Sequence, residues 1–161
     1  MERKHQYFVN LIWTGNEGTG TSGYRDYARS HTIEGENTPE ILCSSDPLFL
    51  GDKTRYSPED LLVGAVSGCH MLSYLHLCAD SGIVVIDYRD SAIGIMLEQK
   101  DGSGYFSEIT LHPNVTVTDG SMIEKANALH EKANKLCFIA NSCKFKVYHK
   151  PVCKVMKGNK S

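Results

Sequence analysis

The first candidate for chemistry is a cysteine inside an otherwise apolar stretch. Residues 57–77, SPEDLLVGAVSGCHMLSYLHL, place Cys69 and His70 in its middle. A thiolate is a nucleophile, whereas a protonated thiol is inert, so any reactivity of Cys69 depends on its ionisation. His70 is unsuited as a base for Cys69, because adjacent helical side chains point about 100° apart. Taken alone, Cys69 is most simply a small core residue, since free cysteine is among the most often buried residue types.

The sequence contains only weak signals for a bound dinucleotide cofactor or a metal ion. Residues 18–23, GTGTSG, match the G-x-G-x-x-G dinucleotide pattern. That site needs a helix at the third glycine, a parallel βαβ unit and a later acidic residue, and none is visible. The cysteines and histidines show no C-x-x-C or H-x-x-x-H spacing, and Cys137 and Cys143 stand too alone for a four-ligand zinc site. We therefore predict neither a metal nor a bound cofactor.

A helix over residues 57–82 must hold Cys69. Its start, residues 57–60, supplies a capping serine, a proline suited to the first turn and two acidic residues that complement the helix dipole. Gly82 ends it. From 61 to 72 the run is apolar nearly all round, which predicts a buried helix.

The other patterns favour strands and one more helix. Residues 5–13 alternate as in a strand, whereas 24–50 look irregular or like an edge strand. A KDGSG segment joins two strand-like runs and indicates an antiparallel hairpin. We predict a single domain, 1–161, of the α+β class. Its segments are N-terminal strands and loops 1–56, the helix 57–82, a β-hairpin 83–118, a second helix 121–142 containing Cys137, and a C-terminal strand 143–156.

Composition narrows the possible partners. The 17 basic and 19 acidic side chains nearly balance, so no electrostatic footprint for nucleic acid or an anionic membrane surface is present. The N-terminal apolar run is too short for a signal peptide, and no segment reaches the ~20 apolar residues of a membrane span. We therefore expect a cytoplasmic protein with reduced cysteines, whose partners are small molecules or a second copy.

Two stretches taken together change the interpretation of Cys69. Residues 57–71, SPEDLLVGAVSGCHM, followed at a distance by 129–142, LHEKANKLCFIANS, resemble the two-cysteine pattern of the OsmC/Ohr family, the osmotically induced and organic-hydroperoxide-resistance proteins. In that pattern a Pro-Glu pair opens the first long helix, and its glutamate precedes the peroxidatic cysteine by ten positions, as Glu59 precedes Cys69. A resolving cysteine ends the second long helix, as Cys137 does.

The resemblance implies a fold and an activity. The fold is α+β, with two central helices packed on antiparallel sheets and two chains intertwined as a homodimer whose active sites lie at the interface. The activity is reduction of organic hydroperoxides through a Cys69 sulfenic acid and a Cys69–Cys137 disulfide, reset by an external dithiol such as a lipoyl group. Cys143 could compete as the resolving cysteine. The alternative is a non-catalytic dimer of the same fold that binds a small apolar ligand.

The resemblance also implies an arginine, held by Glu59, that keeps Cys69 anionic. The two positions where the family carries this arginine hold none here, so we favour Arg29, with Arg25 close behind and Arg55 less suitable. Ten helical positions separate Glu59 from Cys69 by ~15 Å along the axis. We therefore expect the arginine, the glutamate or both to reach the thiolate of the partner subunit.

Overall fold

The computed structural model describes residues 3–156, which form two compact units divided between residues 61 and 62. The first unit holds a three-stranded antiparallel sheet in the order β1-β2-β3. Its strands are β1 Asn10–Trp13, β2 His31–Glu34 and β3 Ile41–Cys43. The first strand is shorter than the 5–13 predicted, and the other two strands lie in the region 24–50, predicted to be irregular or an edge strand.

The glycine-rich segment of the first unit is a closed loop. The Asn16 side chain accepts hydrogen bonds from the backbone N–H groups of Gly18 and Gly20, at 2.9 and 3.0 Å. Both glycines have positive φ, 111° and 58°, which glycine adopts at little cost. An isolated bridge between Asn16 and Tyr27 follows the loop. This segment is therefore a turn inside an antiparallel unit.

Helix α1, Pro58–Asp80, starts and ends where the sequence indicates. The Ser57 hydroxyl accepts from the Asp60 N–H at 3.1 Å, and the Asp60 carboxylate accepts from the Ser57 N–H at 3.0 Å. This reciprocal cap satisfies two backbone donors at the first turn. Gly82 has φ 69°, and the Ile83 N–H bonds back to the Cys78 carbonyl at 2.9 Å, the usual way a glycine closes a helix.

The second unit has two mixed three-stranded sheets, in the orders β4-β7-β9 and β5-β6-β8. Within the segment predicted as a hairpin, β5 and β6 form the hairpin, whereas β4 pairs with β7. The strands are β4 Val85–Asp90, β5 Ile93–Glu98, β6 Gly104–Leu111, β7 Pro113–Val117, β8 Lys146–His149 and β9 Val152–Val155.

The sheets are not wholly antiparallel, which corrects the sequence expectation. β8 pairs parallel with β6, and β9 pairs parallel with β7. Parallel pairing requires a long crossover, and the crossover here is the helical segment between β7 and β8. The predicted C-terminal strand is thus two strands, separated at Pro151, each joining a different sheet.

The second predicted helix is also divided. The structure has α2, Ile123–Leu136, and the short α3, Phe138–Ser142, separated by Cys137. The start differs from the predicted residue 121 too, because α2 begins at Ile123 without a side-chain cap, after a 3-10 turn, Gly120–Met122, whose cap is Asp119, accepting from the Ser121 N–H at 2.8 Å.

The core of the second unit lies in two apolar clusters. The larger joins α1 and α2 to the β4-β7-β9 sheet, and the smaller joins α1 to the β5-β6-β8 sheet. Their fully buried members are Tyr74, Leu77, Cys78, Ile83, Val115, Val117, Ala126 and Ala133 in the larger and Val66, Ile109 and Leu111 in the smaller.

Among residues 3–156, α1 is the one helix long and apolar enough to cross a membrane by length and composition, with a mean hydropathy of 1.4. One such helix is weak evidence for a membrane span, because a core helix passes the same test. Only 28% of its 18-residue window is buried, and Leu72 is 66% exposed.

Candidate active site

The second unit brings Cys69 and Cys137 together. Cys69 lies half-buried in the middle of α1, and Cys137 is fully buried between α2 and α3. The Cys69 thiol lies close enough to Cys137 to help raise the pKa of the Cys137 thiol. The Cys137 sulfur also lies 4.0 Å from the Val66 carbonyl oxygen, one turn before Cys69 on α1. Sixty-eight positions of sequence thus separate two sulfur atoms that are neighbours in the fold.

The backbone around Cys137 explains why its side chain reaches α1. Cys137 has extended dihedral angles, φ −71° and ψ 107°, so α2 stops and the chain turns before α3. The Cys137 sulfur caps the new helix by accepting from the Ala140 N–H at 3.4 Å. The break between the helices therefore fixes the sulfur in one orientation.

Cys137 is held as a protonated thiol. Burial and, after it, the neighbouring Cys69 thiol raise the pKa of Cys137 to about 11, although the Ala140 N–H offsets part of the rise. At neutral pH a thiol with such a pKa is almost entirely protonated and is a poor nucleophile.

The other cysteines have different partners. Cys143 follows α3 and donates to the Ile139 carbonyl at 3.2 Å, and burial raises its pKa. Cys78 and Cys153 belong to the larger apolar cluster. In the first unit Cys43 is buried, which raises its pKa, and the charge of Arg55 partly offsets the rise. All six are free thiols.

Glu59 lies in the first turn of α1 with an unsatisfied oxygen. Its Oε2 atom is buried and has no hydrogen-bond partner among residues 3–156. A buried carboxylate without a donor is costly, because it loses its hydration without replacement. Glu59 is thus a carboxylate in need of a cationic or hydrogen-bonding partner.

The predicted arginines lie in the first unit with different surroundings. The Arg29 guanidinium donates to the backbone carbonyls of Tyr24 and Tyr27, and it lies 4.5 and 4.2 Å from the centroids of their rings. Two of its five N–H donors are thereby used. Arg25 is exposed, and Arg55 pairs with Asp52 at 3.6 Å. Arg29 is the most firmly positioned of the three.

A buried histidine pair beside the thiols was not foreseen. His70 Nε2 and His130 Nδ1 are 2.9 Å apart, and both residues are fully buried. The ring of His149 lies nearby, with centroids 5.7 and 6.2 Å from those of His70 and His130. The sequence feature that could have indicated this pair is that His70 and His130 each have apolar neighbours within a predicted helix. Across the described chain, however, no group of three or more His, Cys, Asp or Glu side chains is arranged to hold a metal.

The second unit also has an open, mainly apolar cleft of about 670 Å³. Its aromatic walls are Tyr105, Phe106 and Phe145, and Cys143 and Lys144 lie at its edge. Leu72 and Phe138 do not line this cleft and are mostly exposed. The cleft is large enough for a small apolar ligand.

The sequence was compared with models of protein families and with curated proteins. A family model described as OsmC-like protein matches residues 51–150. No curated protein matches the sequence.

Solved structures share the fold. An OsmC-like protein of unknown function from Vibrio cholerae is 27% identical, with coverage of 92% of this chain and 100% of that one and a TM-score of 0.83. An organic hydroperoxide resistance protein from Elizabethkingia anophelis is 19% identical, covering 97% and 100%, with a TM-score of 0.64. The organic hydroperoxide resistance protein OhrB of Bacillus subtilis is 17% identical, covering 93% and 98%, with a TM-score of 0.60.

Proposed function

The chain belongs to the OsmC-like protein family, and from this premise we propose that it is a thiol-dependent peroxidase that reduces organic hydroperoxides to alcohols. The observation that carries the proposal is that the Cys137 sulfur lies against α1, 4.0 Å from the Val66 carbonyl oxygen and near enough to the Cys69 thiol to affect the pKa of Cys137. A half-buried thiol beside a second, protonated thiol is the arrangement that a sulfenic acid needs in order to be resolved as a disulfide.

The proposed cycle has three steps. The Cys69 thiolate attacks the hydroperoxide, so that the O–O bond breaks and an S–O bond forms; one added proton completes Cys69 sulfenic acid and the alcohol. The Cys137 thiol then displaces the sulfenic oxygen as water and forms the Cys69–Cys137 disulfide. An external dithiol, such as a reduced lipoyl group, exchanges with this disulfide, becomes a disulfide itself and returns both protein thiols.

We assign Glu59 and Arg29 to the activation of Cys69, with Arg25 as the alternative arginine. The orphaned Glu59 oxygen supports this assignment, because a guanidinium can donate to a carboxylate while keeping its own charge. Arg29 retains three N–H groups after its two backbone contacts. A guanidinium near Cys69 would favour the thiolate over the thiol.

The proposed assembly is an intertwined homodimer with the active sites at its interface. The exposed apolar surface of α1, including Gly64, Ala65 and Leu72, supports it, since burial of such a surface drives association. The six free thiols suit a reducing compartment, and we infer a cytoplasmic location.

The proposal is tested by turnover and by mass spectrometry of the wild-type protein. With cumene hydroperoxide and dihydrolipoamide, we expect catalytic consumption of the peroxide. Without the dithiol, we expect one peroxide consumed per chain and a peptide linkage between Cys69 and Cys137. If no peroxide is consumed and no linkage forms, the result favours the alternative function, a non-catalytic dimer that binds an apolar ligand in the cleft beside Phe106.

The expected origin of the arginine is tested by mixing inactive chains. If Arg29 acts on the partner's thiolate, Cys69→Ser and Arg29→Ala chains co-refolded in equal amounts should recover about a quarter of wild-type activity, since half the dimers are mixed and one site in each is complete. Arg25→Ala chains serve as the matched comparison. A mixture as inactive as its components would contradict a contribution from the partner chain, and an active Arg29→Ala homodimer would transfer the role to Arg25.

A further inference from the structure

A second pair of side chains joins the two helices that carry the thiols. His70 directly follows Cys69 on α1, and His130 lies seven positions before Cys137 on α2. Their rings are hydrogen-bonded, with Nε2 of His70 2.9 Å from Nδ1 of His130. Within residues 3–156, no other hydrogen bond links a nitrogen or oxygen of an α1 side chain with one of an α2 side chain. The proposed reaction does not use this pair.

The surroundings of the pair favour two neutral rings. Burial lowers the pKa of His70 to about 4 and that of His130 to about 3. The groups that face them are His149 from β8, which lowers both pKa values, and Asp90 from β4, which raises that of His70. Two neutral imidazoles supply one donor and one acceptor for the bond between them. The pair is therefore intact at neutral pH.

The bond is held in one geometry by aromatic packing. The Tyr74 ring stacks on His130 with centroids 3.8 Å apart and planes inclined by 10°. The rings of His70 and His130 are nearly parallel, at 9°. If one helix slid along the other, the two rings could not adjust and the hydrogen bond would break.

The remaining contact between α1 and α2 is less specific. Leu77 and Cys78 of α1 and Ala126 and Ala133 of α2 belong to one apolar cluster. Apolar burial is non-directional, so small side chains of this kind permit sliding along the helix axis. A disulfide does not tolerate such sliding, because the Cα atoms of its two cysteines must lie about 4.4–6.8 Å apart. A shift of one helical turn, about 5.4 Å, would move them out of this range.

We propose that the His70–His130 hydrogen bond sets the register of α1 on α2 and thereby positions the Cys69 thiol against the Cys137 thiol. Both histidines are positioning residues and exchange no proton with the substrate. The inference rests on the proposed function in one respect, that Cys69 and Cys137 form a disulfide.

The test measures how readily the two thiols pair, without any peroxide. Protein is equilibrated at pH 7.5 in mixtures of reduced and oxidised glutathione, so that oxidised glutathione becomes two thiols as the protein disulfide forms. Alkylation and peptide mass spectrometry then give the fraction of protein that contains the Cys69–Cys137 disulfide at each glutathione ratio. From these fractions follows the effective concentration of one thiol relative to the other. His130→Leu removes the bond, whereas His130→Asn keeps a polar atom near the Nδ1 position.

We expect His130→Leu to lower the effective concentration about tenfold, because this change corresponds to the free energy of one buried hydrogen bond. His130→Asn should stay within about threefold of wild type. The control is His76→Gln, which changes an exposed histidine of α1 that pairs with Asp80 and should have no effect. A folded His130→Leu protein with the wild-type value would overturn the inference.

A measurement on the wild-type protein alone covers the case in which His130→Leu does not fold. If the bond favours the disulfide, the disulfide must favour the bond equally. The imidazole N–H proton shared by His70 and His130 should therefore exchange with water at least about threefold more slowly in the disulfide form, as read by NMR at pH 7. Equal or faster exchange would overturn the inference. Failure of Cys69 and Cys137 to pair at any glutathione ratio would instead refute the proposed function, and the inference with it.

Discussion

Replacing Cys69 with serine is expected to reduce dithiol-dependent consumption of cumene hydroperoxide at least about a thousandfold, to the rate of the dithiol alone. A serine hydroxyl is scarcely ionised at neutral pH and forms no oxygen counterpart of a sulfenic acid. The measurement is initial-rate peroxide consumption at pH 7 with the folded state checked by circular dichroism. Serine is close in size to cysteine, so a loss of activity reports chemistry and not packing.

Two matched serine variants locate the remaining steps. Cys137→Ser should still react once with peroxide and leave a Cys69 sulfenic acid that a dimedone probe labels, while turnover with dihydrolipoamide falls. Cys143→Ser should keep at least about half of the activity, since its thiol bonds to the Ile139 carbonyl and not to Cys69. A Cys69→Ser protein with normal turnover would refute the peroxidase assignment. Equal damage from the Cys143 and Cys137 variants would make Cys143 a competing resolver.

The buried histidine pair should make the folded protein sensitive to acid. His70 and His130 have folded-state pKa values of about 4 and about 3, whereas an unfolded histidine titrates near about 6.5. Below pH 6.5 the unfolded chain therefore binds more protons than the folded one, and stability falls as pH decreases until the folded-state pKa values are reached. Between pH 7 and 5 the two groups should cost on the order of 4 kcal/mol of unfolding free energy.

Urea unfolding at pH 7, 6 and 5, with the protein concentration held constant, measures this dependence. His130→Asn removes one titrating group and should reduce the pH-dependent loss by about half. His76→Gln changes an exposed histidine and should leave the dependence as in wild type. A free energy of unfolding that is unchanged from pH 7 to 5, or an equal slope in His130→Asn, would show that the pair is not buried in the neutral form.

Local signals in the sequence located the first helix. The Ser57–Asp60 cap and the positive φ of Gly82 involve residues within a few positions of one another, so the start and end of α1 could be predicted. The ten-residue interval between Glu59 and Cys69, with Cys137 farther on, was enough to suggest the family. The family model and the fold of solved structures confirm that suggestion.

The arrangement of strands could not be predicted in the same way. The two parallel pairs, β6 with β8 and β7 with β9, join residues about 38 positions apart, and no local pattern encodes which strand a distant segment will choose. The division of the second helix at Cys137 was missed for a related reason. The extended conformation there is stabilised by contacts with Val66 on α1 as well as by the Ala140 cap.

By itself, the sequence of this protein determined the start and end of α1 and the β5–β6 hairpin, because these follow from short-range caps and turns. Only the tertiary structure decided that Cys137 lies against Cys69, that Cys143 does not, and that His70 and His130 meet between the same helices. These juxtapositions depend on how α1 and α2 pack, and the free energy of that packing is spread over many distant apolar contacts that no single stretch of sequence contains.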